Sequence, residues 1–204
     1  MNSDHLGDAL DHWKGSLISL LVSKQLLRSV VVEPMITDPQ QWSTEDIQTY
    51  KRLLRLEVIF HAGSTFPGGS REDYFNEVPK EGDIFIDPDI GIARGRATKK
   101  HIKVPELIKL TGESDRIVMV YQHSGQRGAK QEGQSNSNFN QWLRAIRNKL
   151  TADEPEANVT NVHCIIYECH QVAMFFISRC RKRIDKIQTV LQEYLKGKAQ
   201  RRVW

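Results

Sequence analysis

The chain is poor in cysteine, in long apolar runs and in glycine-rich phosphate loops, and each shortage excludes a class of protein. Three cysteines, Cys164, Cys169 and Cys180, are an odd number set in apolar or basic sequence. That rules out a disulfide framework of regular spacings and predicts buried, reduced thiols. A zinc site from His163, Cys164, Cys169 and His170 is disfavoured because strand geometry scatters them over both faces. No apolar run approaches the ~20 residues of a membrane-spanning helix. Met1–His5 is not a basic segment leading into an apolar one, so neither a membrane partner nor a secretory signal is expected, and the location expected is cytoplasmic. With 13 Gly and 7 Pro there is no low-complexity or collagen-like tract, and no internal repeat is visible. His61–Ser70 is rich in glycine but lacks the spacing and the lysine of a P-loop, so it reads as a connection. Aromatic residues make up 8%, with no recognition-helix or stacking motif among them.

What is present describes a globular α/β protein. Hydrophobic residues at 39% and charged residues at 26%, over 204 residues, suffice for one sizeable core. A single domain spanning 1–204 is expected, ending in a basic tail at about 196–204. The net charge of +4 is unevenly spread, with clusters at Arg94–Lys100 and Arg179–Arg183 and in the tail. Such clusters are either solvated faces or attractors of phosphate.

In chain order, Leu10, Trp13, Leu17, Leu20 and Leu21 share one helical face, with Asp8 or Asp11 as the cap and His12 and Lys14 near the start. Val30–Val32 is β-branched and continuous, predicting a buried strand that ends at Glu33 and runs on to Asp38. Ser43 with Asp46 forms a helix-start signal. Ile84–Ile86 is a strand stopping at the polar turn Asp87-Pro88-Asp89, and Ile117–Tyr121 is a strand ending in Gln122 and His123. Two apolar runs flanking Cys169–Gln171 predict an antiparallel hairpin, and Ile184 to Tyr194 a closing helix. Strand and helix alternate. That order predicts a doubly wound, mostly parallel sheet with the antiparallel C-terminal hairpin at or near its edge.

Asp87-Pro88-Asp89-Ile90, followed by a strand, a helix and a strand hairpin, resembles the Rossmann-like methyltransferase superfamily, in which the fourth strand ends in an Asp/Asn-Pro-Pro-Tyr/Phe tetrapeptide. The opening helix Gly7–Lys14 followed by Val30–Asp38 is similar in layout to small bacterial nucleic-acid methyltransferases. The resemblance implies a Rossmann-like domain, S-adenosylmethionine as cofactor and a nucleic acid or nucleotide as substrate. It places the cofactor near Glu33, Asp38 and Tyr121 and the chemistry at Asp87, Asp89 and His123. The chain departs from the pattern in having no glycine after its first strand and in carrying Asp89 and Ile90 where the family has proline and an aromatic residue. A second carboxylate there suits a cation better than a flipped base.

If the strands are parallel, Glu33, Asp38, Asp87, Asp89, Tyr121, Gln122, His123 and also Glu168 and His170 emerge at one sheet edge, the usual place for a site in an open α/β sheet. Three functions follow as expectations. One is a divergent methyltransferase-like enzyme. Another is a metal-dependent nuclease or phosphodiesterase, with Asp87 and Asp89 holding Mg²⁺ or Mn²⁺. The last is a non-catalytic module binding a nucleotide or nucleic acid through Arg94, Arg96, Lys99 and Lys100. A protein partner or a homo-oligomer is compatible with all three.

Overall fold

The computed structural model describes residues 6–38, 40, 42–55, 59–60, 70–93, 95–112, 115–123, 135–151, 162–169, 172–196 and 201–204. The elements in chain order are α1 (Ala9–Ser23), β1 (Val30–Glu33), α2 (Thr44–Leu54), β2 (Ile59–Phe60), α3 (Arg71–Glu77), β3 (Asp83–Ile86), β4 (Gly91–Ile92) and β5 (His101–Ile102). They continue with α4 (Val104–Thr111), β6 (Val118–His123), α5 (Ser135–Thr151), β7 (His163–Cys169), β8 (Val172–Ser178), α6 (Arg181–Tyr194) and β9 (Arg201–Val203).

Local chemistry sets several of these boundaries. The Asp8 side chain accepts the backbone N–H groups of Leu10 and Asp11 at the start of α1. Ser43 and Asp46 exchange side-chain and backbone bonds in a capping box at α2. Pro105 sits in the first turn of α4, where its missing N–H leaves nothing unpaired.

The main sheet runs β2-β1-β3-β6-β8-β7-β9, and β4 pairs with β5 in a separate two-stranded ladder. Side chains alternate between two cores. Val30, Val32, Phe85, Met119 and Tyr121 pack with α1, α2 and α6. Val31, Ile84, Ile86, Val118 and Val120 pack with α3, α4 and α5. This is the period of two that a strand imposes, and it buries the sheet on both faces.

The doubly wound, mostly parallel, Rossmann-like sheet expected from the alternation of elements is overturned. In the main sheet parallel pairing is confined to β2–β1, β1–β3 and β3–β6, and the separate β4–β5 ladder is parallel too. The other three pairings of the main sheet, β6–β8, β7–β8 and β7–β9, are antiparallel. The connection between β7 and β8 is too short for a crossover, so the pair must be antiparallel. β8 lies between β6 and β7, aligned with β6 over Val172–Ile177 and with β7 over Val172–Ser178. The segment expected as a basic tail supplies a further antiparallel strand. β9 pairs with β7, Trp204 exchanges backbone bonds with Ile166, and the Trp204 indole donates to Glu168 Oε2 at 3.2 Å.

At the amino edge, Asp83 is fully buried and accepts from the Arg28 and Ile117 amides at 2.7 and 2.8 Å. It also takes a two-pronged contact from the Arg183 guanidinium at 2.8 and 2.7 Å. One carboxylate thus ties β3 to the entry of β1, to β6 and to α6.

Candidate functional site

Register places the ends of the strands together. Glu33 aligns with Ile86 and Ile86 with Val120. His123 and Cys169 both align with Val172. Glu33, Asp87, Gln122, His123 and Glu168 therefore lie along one edge, the carboxyl edge of β1, β3, β6 and β7. His170, Arg94 and the stretch 61–69 of the glycine-rich connection lie outside the described residues.

The centre of this edge is a buried charge cluster. Asp87 is 2% exposed and accepts from Lys14 Nζ at 2.7 Å and from the Tyr50 hydroxyl at 2.5 Å. Lys14, 4% exposed, also donates to Asp11 at 3.0 Å and lies 4.2 Å from the centroid of the Tyr121 ring. Asp11 accepts in addition from the Gly7 amide at 2.9 Å. Burial alone pulls the Lys14 ammonium down, but the Asp87 and Asp11 carboxylates outweigh it and hold the pKa above its ordinary value. Burial raises the Asp11 carboxyl, with Lys14 opposing. Burial, and then the Asp87 charge, push the Tyr50 phenol well up, so Tyr50 is a fixed donor.

Beside this cluster, Glu33 is fully buried and accepts from the Met35 amide at 2.8 Å and from the Tyr74 hydroxyl at 2.5 Å. Its backbone carbonyl accepts from the Asp87 amide at 2.9 Å. Met35 has φ +48°, a left-handed conformation that glycine usually supplies. The turn after β1 lacks glycine, yet adopts such a conformation at Met35. Glu33, through the Met35 amide, and Tyr74, through Glu33, brace it.

Asp89 is half-buried and pairs with Lys100 at 2.7 Å, so Asp87 and Asp89 are held by different cations. Asp38 accepts from the Gln40 amide in a local turn at 3.2 Å. Tyr121 is buried beneath Lys14, and His123 is half-buried at the end of β6. Gln122, 2% exposed, accepts from the Ile92 amide at 2.6 Å and donates to the Ile90 carbonyl at 3.1 Å, pinning β4 to the end of β6. Gly91 makes this possible. A Cβ at that position would lie 2.1 Å from Gln122 Oε1.

The donors expected for S-adenosylmethionine do not fit it. Glu33 is engaged inward with Met35 and Tyr74, and Tyr121 is covered by Lys14, leaving Asp38 as the open member of the three. Nor do the expected ligands suit Mg²⁺ or Mn²⁺. Asp87 is held by an ammonium and a phenol, and among the described residues no three metal-binding side chains converge.

The sequence pattern marks Asp87 but not its partners Lys14 and Tyr50, nor Asp11 on the other side of Lys14, the Glu33–Tyr74 bond, or the aromatic group in which Trp13 stacks on Tyr167 at 5.7 Å and meets Tyr121 edge-on at 6.3 Å. One signal was present. Lys14 falls at helical spacing between Leu10, Leu17 and Leu21, three residues after Asp11, so a charged pair lay on an apolar face.

No protein-family model, curated protein or solved structure matches the chain.

Proposed function

We propose that the chain is a non-catalytic module that binds the phosphates of a nucleic acid or nucleotide at the carboxyl edge of its sheet. The observation that supports this most is how charge is disposed there. The carboxylates at the centre of the edge are turned inward: Asp11 and Asp87 onto Lys14, and Glu33 onto an amide and a phenol. Asp89 is matched by Lys100. Arg96 and Lys99 are left exposed, with no ion pair among the described residues.

The segment that carries them is braced. The Arg71 guanidinium donates to the His101 carbonyl at 2.8 Å while holding Glu106 through two bonds of 2.7 Å. Thr98 Oγ1 lies 2.8 Å from His101 Nδ1, and the Ile90 amide donates to the Lys100 carbonyl at 3.1 Å. A cationic loop held in this way loses little conformational freedom when it meets a phosphate chain.

The test is fluorescence anisotropy of a labelled oligonucleotide across a salt series. Each phosphate contact contributes a slope of about −0.7 to −0.9 in log K against log salt. The double variant Arg96→Ala/Lys99→Ala is expected to reduce the slope by roughly 1.4 to 1.8. Absent binding, or binding indifferent to salt, rejects the proposal. Saturable heat on titrating S-adenosylmethionine would reject its non-catalytic part.

A further inference from the structure

We infer that the cleft between α1 and α6, roofed by β7, takes an unstacked nucleobase, so that the nucleic acid preferred at this edge is single-stranded. The inference rests on the proposal above and names the substrate class of the same edge. The cleft measures about 260 Å³ and is lined by His12, Trp13, Ser16 and Leu20 of α1, Tyr167 of β7 and Tyr194 of α6.

Topology brings these side chains to the carboxyl edge. Trp13 adjoins Lys14, which reaches Asp87, and Tyr167 lies two residues before the end of β7. β8 runs antiparallel to β6, so α6, which follows it, returns toward the carboxyl edge and ends there at Tyr194. The Trp13 and Tyr167 rings are stacked, 8° from parallel with centroids 5.7 Å apart, so the buried Tyr167 backs the half-buried Trp13 at the cleft. His12 and Ser16 are exposed beside it, as hydrogen-bonding groups for a base edge.

The size and chemistry select among ligands. The cleft falls just below the ~300 Å³ at which pockets for drug-sized molecules begin. A single flat ring system is well within that volume. Single strands are held by bases on aromatic rings and backbone on cations, and this chain carries both kinds of group at the carboxyl edge of its sheet. In a duplex the bases are stacked and paired, so none is free to enter.

The cleft belongs to the α1, α2 and α6 face, whereas the strands bordering the cationic loop pack Ile92 and Ile102 on the α3, α4 and α5 face. One strand must therefore cross the sheet edge to engage both. Its site size is expected within the ~4–16 nucleotides typical of such grooves.

The experiment compares the full chain's affinity for one labelled oligonucleotide as a single strand, as a duplex and as an abasic backbone of equal length. Adenosine is titrated separately, with tryptophan fluorescence as the readout. Tyr194 is 44% exposed, and the thermal midpoint of Tyr194→Ala is measured beside its affinity so that a loss of binding is read only from folded protein. The substitution should weaken single-strand binding at least about fivefold, the lower end for a lost stacking contact, with the salt slope unchanged. Trp13→Phe should remove the quenching by adenosine.

Equal affinity for intact and abasic strands, or Tyr194→Ala binding like the parent, overturns the base cleft while a surviving salt slope keeps the phosphate reading. Quenching by adenosine without strand binding upholds the cleft and removes the phosphate reading. No response to any probe removes both.

Discussion

Replacing Lys14 by methionine keeps most of the side chain's length and removes its charge from between Asp11 and Asp87. Both carboxylates are then stranded, Asp87 with only the Tyr50 hydroxyl and Asp11 with the Gly7 amide among the contacts described above. Breaking a buried ion pair by deleting one partner costs about 3–5 kcal/mol. That is a large part of the ~5–15 kcal/mol by which domains are stable. At roughly 2–4 °C per kcal/mol for a chain of this size, the thermal midpoint should fall by about 6–20 °C.

The loss should also depend on pH in a stated direction. Without the cation, nothing opposes the burial that already raises the Asp11 carboxyl, so it binds its proton more tightly folded than unfolded. Folded stability then falls as pH rises from its ordinary range. Urea melts at mildly acidic and mildly alkaline pH should show the greater destabilisation at the higher pH. The double variant Lys14→Met/Asp87→Asn removes one of the stranded charges and should be more stable than Lys14→Met alone. A Lys14→Met protein within about 1 kcal/mol of the parent at both pH values would refute the cluster as a desolvated, coupled unit.

Gly91→Ala should be severely destabilising, because φ is +114° and the new Cβ would meet the Gln122 amide group. Circular dichroism melts of Gly91→Ala and Gly91→Ala/Gln122→Ala separate the two causes, the clash being relieved in the double variant and the backbone strain not. Arg183→Met leaves Asp83 buried without its guanidinium and should lose roughly 3–5 kcal/mol in urea unfolding; a change under about 0.5 kcal/mol would discount that anchor. Alkaline unfolding should begin near pH 10. Lys14, ordinarily 10.5, and Tyr50 and Tyr74, ordinarily 10.0, all bind their protons more tightly when folded. Their stabilisation is complete below those values and is lost as pH rises through and beyond them, so a stability profile flat through that window would contradict their burial.

The sequence by itself determined what depends on near neighbours. The alternation of Val30, Val31 and Val32, and of Ile84, Phe85 and Ile86, between two cores follows from strand geometry, and the caps at Asp8 and at Ser43 with Asp46 are formed within three residues. That Asp87 stands where a buried strand ends was readable on the same local grounds. Only the tertiary structure decided which strands pair and what Asp87 touches. Pairing direction depends on chain closure over distances that no local pattern encodes. The β7–β8 hairpin, closed by a short connection, is antiparallel as its two apolar runs predict, but β8 also pairs antiparallel with β6 inside the sheet, and the expected basic tail supplies β9. Lys14 and Asp87 are separated by 73 positions and Tyr50 and Asp87 by 37, so their carboxylate, ammonium and phenol meet only when α1 and α2 are packed on the sheet. The left-handed turn at Met35 is decided the same way, since Tyr74, 41 positions from Glu33, holds the carboxylate that braces it.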